Sequence, residues 1–256
     1  MRSASAAVLV TVAAMFGPSG LAVAAPKDYC AELKGSETGS ACEIQLSEPG
    51  YSVDISMPLR YPDQKPIAEF ISRTRDAFLD SAKSDAPRTT PYELSIKPTE
   101  YTSSIPPRGT QAVVFTVSQN VGGTQPPTTY KAFNWDQAYR KPISSTVAPD
   151  SSDPAPLWRV DDPLTIVAPI VQAELQQQLA PEPVAPSTQS GQSTTTTPPA
   201  PLPFAHDALY DPATYQNFAV VNDGVIFFFD QGVVLPASAG ALHVLVPRSA
   251  IDSMIA

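Results

Sequence analysis

Chemistry in this chain would have to begin from very few groups. The 256 residues hold two His, His206 and His243, and two Cys, Cys30 and Cys42. A hydrolase working through a hydroxyl needs a base and a group that orients the base. His206 sits in the connector Phe204-Ala205-His206-Asp207, and His243 alternates with Leu242 and Val244 along a strand. Both read as structural or surface histidines. Neither a Gly-x-Ser-x-Gly elbow nor a His-Glu-x-x-His pair occurs. Gly122-Gly123 is too short to cradle a phosphate. The remaining candidates are carboxylate pairs, Asp161 with Asp162 and Asp150 with Asp153, the groups a glycan hydrolase would use. They flank Pro-rich loops and helix starts, where Asp caps backbone N–H groups. The reading therefore assigns no catalytic residue, no metal and no cofactor.

Two other groupings point to structure and contact. Cys30 and Cys42 would close a small loop containing Gly35 and Gly39. In an exported chain a disulfide is the leading reading, with a loop-closure value of about 3 kcal/mol. A metal site or a catalytic thiol would want His nearby, and this segment has none. Arg108 follows Pro106-Pro107, and the run from Trp135 through Tyr139 and Arg140 to Lys141 gathers aromatic and basic residues. Aromatic plus Arg is the composition of recognition surfaces, so Arg108, Trp135, Tyr139 and Arg140 form the candidate contact surface.

The compartment follows from the first residues. Arg2 precedes an apolar run, Ala6 to Phe16, then Gly17-Pro18 and the small-x-small pattern Ala22-Val23-Ala24. That order predicts a signal peptide over residues 1–24, cut before Ala25, and a secreted, extracellular chain. No later stretch is long enough for a transmembrane anchor. The formal net charge of −9 becomes one unit more negative once Arg2 is removed. This balance excludes nucleic acid as a partner.

The elements that would position these residues are legible in the pattern. Tyr51 to Met57 alternates as a half-buried strand, preceded by a shorter one at Glu43 to Ser47. Ile67, Phe70, Ile71, Thr74, Phe78 and Leu79 give an amphipathic helix from Pro62 to about Lys83. Tyr92 to Ser104 reads as a strand whose Pro98 requires an edge or a bulge. Gln111 to Val121 is apolar on both faces and reads as a central strand, with Thr128 to Trp135 returning beside it. A second helix is expected over Asp162 to Leu179, kinked or delayed by Pro169. Tyr215 to Val221 and Val225 to Asp230 form a hairpin around Asn222-Asp223-Gly224, where Asp-Gly would supply positive-φ positions. Leu242 to Val246 is a further buried strand, and Ser249 to Ile255 a short terminal helix.

Proline separates one segment from the rest. Pro181 to Pro203 holds seven of the 29 Pro, a run of four Thr and one acid, and few residues that could enter a core. It reads as a disordered Pro/Thr-rich loop inserted into the domain. The prediction is one α+β domain over residues 25–256, with an amphipathic helix packed on a sheet.

Several stretches resemble the secreted immunogenic antigen family of tuberculosis-complex mycobacteria, the MPT/MPB "sixty-four" type. They include Tyr61-Pro62-Asp63-Gln64-Lys65, Ile105 through Val114, Thr128 through Phe133, Trp135 through Ile143, Tyr215 through Val220, Asn222 through Phe229 and Val244 through Met254. The C-terminal half is also similar to the domain of the lysozyme-sensing anti-sigma factor RsiV. The resemblance implies a compact α+β fold with a β-grasp-like mixed sheet, in a strongly antigenic, virulence-associated secreted protein of mycobacteria, non-catalytic and acting in host interaction. Its partner is then an unknown protein, a host protein or lysozyme. The alternatives are an RsiV-like recognition module for lysozyme or another envelope-active protein, and an envelope hydrolase with a carboxylate site.

Overall fold

The computed structural model describes residues 27–83, 90–104, 109–122, 126–146, 154–180 and 202–256. The expected signal peptide and all but the last two residues of the Pro/Thr-rich insertion lie outside the described residues.

The chain opens with α1 (Tyr29–Glu32), then β1 (Ser36–Thr38), β2 (Ala41–Glu48) and β3 (Tyr51–Pro58). Helix α2 (Gln64–Ala82) carries the chain to β4 (Tyr92–Ser103), which pairs parallel with β3. Strands β5 (Thr110–Asn120), β6 (Thr128–Asp136), β7 (Lys141–Ser144) and β8 (Ala155–Pro156) complete a sheet ordered as in the chain. Helix α3 (Leu164–Gln178) and the short α4 (His206–Leu209) lead to a second, three-stranded antiparallel sheet. Its strands are β9 (Phe218–Val221), β10 (Gly224–Phe229) and β11 (Leu242–Pro247), with β10 central and α5 (Arg248–Ile251) following. This is the expected α+β mixed sheet with an amphipathic helix packed on it.

Alternation along β5 explains how the sheets and helices stack. Val113, Phe115 and Val117 join the core under α2, which buries Ile67, Ile71 and Phe78 there. Ala112 and Val114 point the other way, onto Ala219 and Phe228 of the small sheet. Phe228 lies against Tyr101 and Tyr130, at ring separations of 5.8 and 5.2 Å. The small sheet repeats the device. Val225, Phe227 and Phe229 enter a second core with α3 and Tyr215, while Ile226 and Phe228 face the large sheet.

Polar side chains fasten the two sheets together. Asn217 Oδ1 accepts from Ala132 N at 3.0 Å, Asp230 Oδ1 from Tyr130 N at 2.6 Å, and Gln231 Oε1 from Thr128 N at 3.0 Å. These N–H groups belong to the stretch of β6 that β7 does not reach, since β7 pairs only with Trp135 and Asp136. A sheet edge that would otherwise present open donors is thus closed by side chains. Asn222 Oδ1 adds bonds from Ser103 Oγ and Ser104 N, and Asn134 Nδ2 donates to Phe218 O at 2.7 Å.

Three local expectations are refined. In the hairpin turn, positive φ falls on Gly224 alone, at +154°, and not on Asn222 or Asp223. Helix α3 starts at Leu164 and runs through Pro169, whose ring is on the exposed side. Strand β4 continues through Pro98, because its pairing with β3 ends at Ile96. Beyond that point β4 has a neighbour on one side only, and the missing donor breaks no ladder bond there.

Candidate functional site

Cys30 and Cys42 form a disulfide that ties α1 to β2, both residues being buried. Gly35 lies against it so closely that a Cβ would collide with Cys42 Sγ. The bridge is therefore structural.

The candidate contact surface converges on the β6–β7 turn. Asp136 is fully buried, and its Oδ1 accepts from Ala138 N at 2.8 Å and Tyr139 N at 2.9 Å. A short acidic side chain that bonds the backbone ahead of it is how such turns are fixed. Gln137 N donates to Gly109 O at 2.9 Å, so the strand entering β5 braces the turn from beside. Arg140 adopts φ +53°. The result is a held loop that presents Tyr139 with 69% of its surface exposed and Lys141 Nζ 5.9 Å from its ring. Tyr139 and Arg140 therefore share one exposed turn. Trp135 does not join them: it is half-buried and, like Phe133, packs against the core under α2. Arg108 lies outside the described residues, though its neighbour Gly109 touches the turn.

The acid–base candidates are dispersed. His206, exposed at the start of α4, stacks on Tyr210 at 4.9 Å, and His243 stacks on Phe228 at 6.0 Å from the outer strand of the small sheet. Among the described residues neither imidazole hydrogen-bonds a hydroxyl, and no three His, Cys, Asp or Glu side chains gather as a metal site. Asp150 and Asp153 lie outside the described residues. Asp161 and Asp162 border a cavity of about 290 Å³ together with Ser145, Thr146, Trp158, Leu164 and Tyr215. Burial pushes the Tyr215 hydroxyl above the usual phenol range, and it donates to Leu209 O at 2.8 Å. It stands there as a neutral wall of the cavity.

Inference from sequence missed the junction residues Asn217, Asp230 and Gln231. They sit just outside β9 and β10, and the signal for them was a polar residue bordering each apolar run. Asp230 is half-buried, and desolvation raises its carboxyl above the ordinary range, partly offset by the bond from Tyr130 N.

Comparison with known proteins bears on this arrangement. The chain is 54% identical over 250 residues, 97% of each chain, to the immunogenic protein MPB64 of Mycobacterium bovis and equally to MPT64 of Mycobacterium tuberculosis. The chain belongs to the MPB64/MPT64 family of mycobacterial immunogenic proteins. A further relative of this family member, 35% identical over 97% of this chain and 96% of its own, is named esterase Rv3036c of M. tuberculosis. A family profile described as a protein of unknown function (DUF3298) matches residues 156–249, which contain α3 and the small sheet. A solved DUF3298 structure from Bacteroides fragilis aligns at TM-score 0.46 and 12% identity, covering 86% of this chain and 96% of that one. Among the described residues, no helix of this MPB64/MPT64 relative is long and apolar enough to cross a membrane.

Proposed function

We propose that this immunogenic protein is exported and non-catalytic, and that it acts by binding a host protein through the β6–β7 turn. The observation that carries the reading is Tyr139, an aromatic side chain 69% exposed on a turn held by a buried carboxylate. Large aromatic and Arg side chains dominate binding energies where they are pre-organised. Arg140 beside it supplies the charge.

The test compares saturable binding of the mature chain to host cells with that of a Tyr139→Ala/Arg140→Ala variant. About ten-fold weaker binding of the variant is expected. Equal binding would overturn the assignment of the turn. A titration with lysozyme forms a second arm: heat release that the variant loses would make lysozyme the partner, in the manner of an RsiV-like module.

The name of the esterase relative favours a second reading, ester hydrolysis. Against it stands the lack of a hydrogen bond between either imidazole and a hydroxyl among the described residues. Hydrolysis of p-nitrophenyl butyrate that survives purification and is abolished by a serine-directed phosphonate would replace the non-catalytic reading.

A further inference from the structure

We propose that the chain forms a two-fold dimer in which β11 of one copy pairs antiparallel with β11 of a second. The small sheet ends at β11, and no further strand joins its far side among the described residues. Hydrogen bonding alternates along an antiparallel strand, so the direction of each β11 amide follows from its neighbours. Phe228 N donates to Asn217 O, which turns Ile226 and Phe228 toward β9 and leaves Val225, Phe227 and Phe229 to bond β11. Their partners Val246, Val244 and Leu242 therefore point inward. Arg248 N, donating to Asp223 O, obeys the same alternation. The backbone N–H and C=O of His243 and Leu245 point outward, and no described group bonds them. Both residues are exposed.

The other edges are finished. The outward carbonyls of β9, on Phe218 and Val220, accept from Asn134 Nδ2 and Thr110 Oγ1 of the large sheet. The large sheet ends in β1 and β8, three and two residues long, and β1 carries an exposed Glu37. Short strands and charges are what blunt an edge. Strand β11 runs for six residues in unbroken register, carries no formal charge and has Pro only at its last position.

The pattern of β11 fits its own copy. With Val244 on the two-fold axis, His243 stands opposite Leu245 of the second copy, and each outward N–H meets an outward C=O. Leu242 then faces the second copy's Val246, and Val244 its own counterpart. Helix α3 shares a core with these residues and packs on β11, so it flanks the axis. It bares Ile166 at 45% exposure, and Glu174 is its one charged residue. Such a lack of charge, in a chain of net charge −9, is the composition of an interface centre. The joined sheet ends at β9 on both sides, an edge already closed, so assembly stops at two copies.

This inference goes beyond host binding and fails separately from it, because it is measured on the purified mature chain by itself. Sedimentation equilibrium from about 1 to 100 μM should pass from one chain mass to two and go no further. Added salt should tighten the dimer, since it screens repulsion between two acidic chains whose paired strands carry no charge. In hydrogen exchange, the His243 and Leu245 amides should gain protection with concentration, while that of Val244 is protected throughout. Leu245→Pro removes an outward donor and no bond to β10, so it should keep the fold and stay at one chain mass. Leu245→Lys, which leaves the backbone intact, should weaken association about ten-fold or more. Leu46→Lys, at an exposed leucine of β2, is the control that leaves association unchanged. One chain mass at the highest concentration, growth past two chains, weakening by salt, amides of His243 and Leu245 protected at every dilution, or association unchanged by Leu245→Lys would each overturn the proposal.

Discussion

Asp230 is where the electrostatics of single residues meets the architecture. Its carboxyl is half-buried between the sheets, and desolvation holds it above the ordinary carboxylate range. A group raised in this way contributes its stability below its ordinary pKa and loses it as pH rises through the raised value. At neutral pH the ionised Asp230 is thus a liability that the bond from Tyr130 N only partly offsets. Asn at this position keeps an acceptor for Tyr130 N and removes the charge. Asp230→Asn should therefore raise the melting temperature at neutral pH, and the gain should shrink as the solution approaches about pH 4. Asp63 is also raised by burial, but it is common to both proteins and cancels in the difference. A gain independent of pH, from melting curves across that range, would contradict the assignment to Asp230.

Among the elements, the β9–β10 hairpin is most exacting at Gly224. A Cβ there would collide with Val246 O and lie 2.9 Å from Arg248 N, at a φ of +154° that side chains rarely adopt. Strain and overlap act together, so Gly224→Ala should cost about 2–4 kcal/mol in urea unfolding. A loss under about 1 kcal/mol would show that the turn relaxes around the new methyl. The same hairpin shows what was legible in advance. Asn-Asp-Gly between apolar runs fixed its position, because turn residues act locally. The φ pattern was not legible, because Asn222 is held from outside, by Ser103 and Ser104 of a distant strand. Likewise the stripe of α2 and the two-faced apolar run of β5 could be read from periodicity. Strands β1, β7 and β8 are too short to carry a period, and their pairing is set by neighbours. The contact surface divided along the same line. Tyr139 and Arg140 share a turn because Asp136 bonds locally, whereas Trp135 packs against the core under α2.

At the scale of the whole molecule, the described residues form two large cores, one under α2 and one between α3 and the small sheet. Between them lies a small buried cluster of Ala112, Val114, Ala219 and Phe228. The DUF3298 match ends inside this arrangement: residues 156–249 include Phe228 but neither Ala112 nor Val114. Taken alone, that segment would expose the face of β10 that carries Ile226 and Phe228, so the large sheet completes it. Phe228 is the largest of the buried side chains at the junction and touches Tyr101, Tyr130 and His243. Phe228→Ala should cost about 3–5 kcal/mol, as lost transfer free energy plus the cavity left between the sheets. The two Trp residues report on each core separately, Trp135 beside α2 and Trp158 beside Phe227. With one Trp at a time replaced by Phe, urea unfolding should give coincident transitions in the otherwise native chain. Adding Phe228→Ala should pull the two midpoints apart. Coincident midpoints in that variant would place the coupling in the Asn217, Asp230 and Gln231 bonds to β6 instead, and separate midpoints without it would mean the cores never were one cooperative unit.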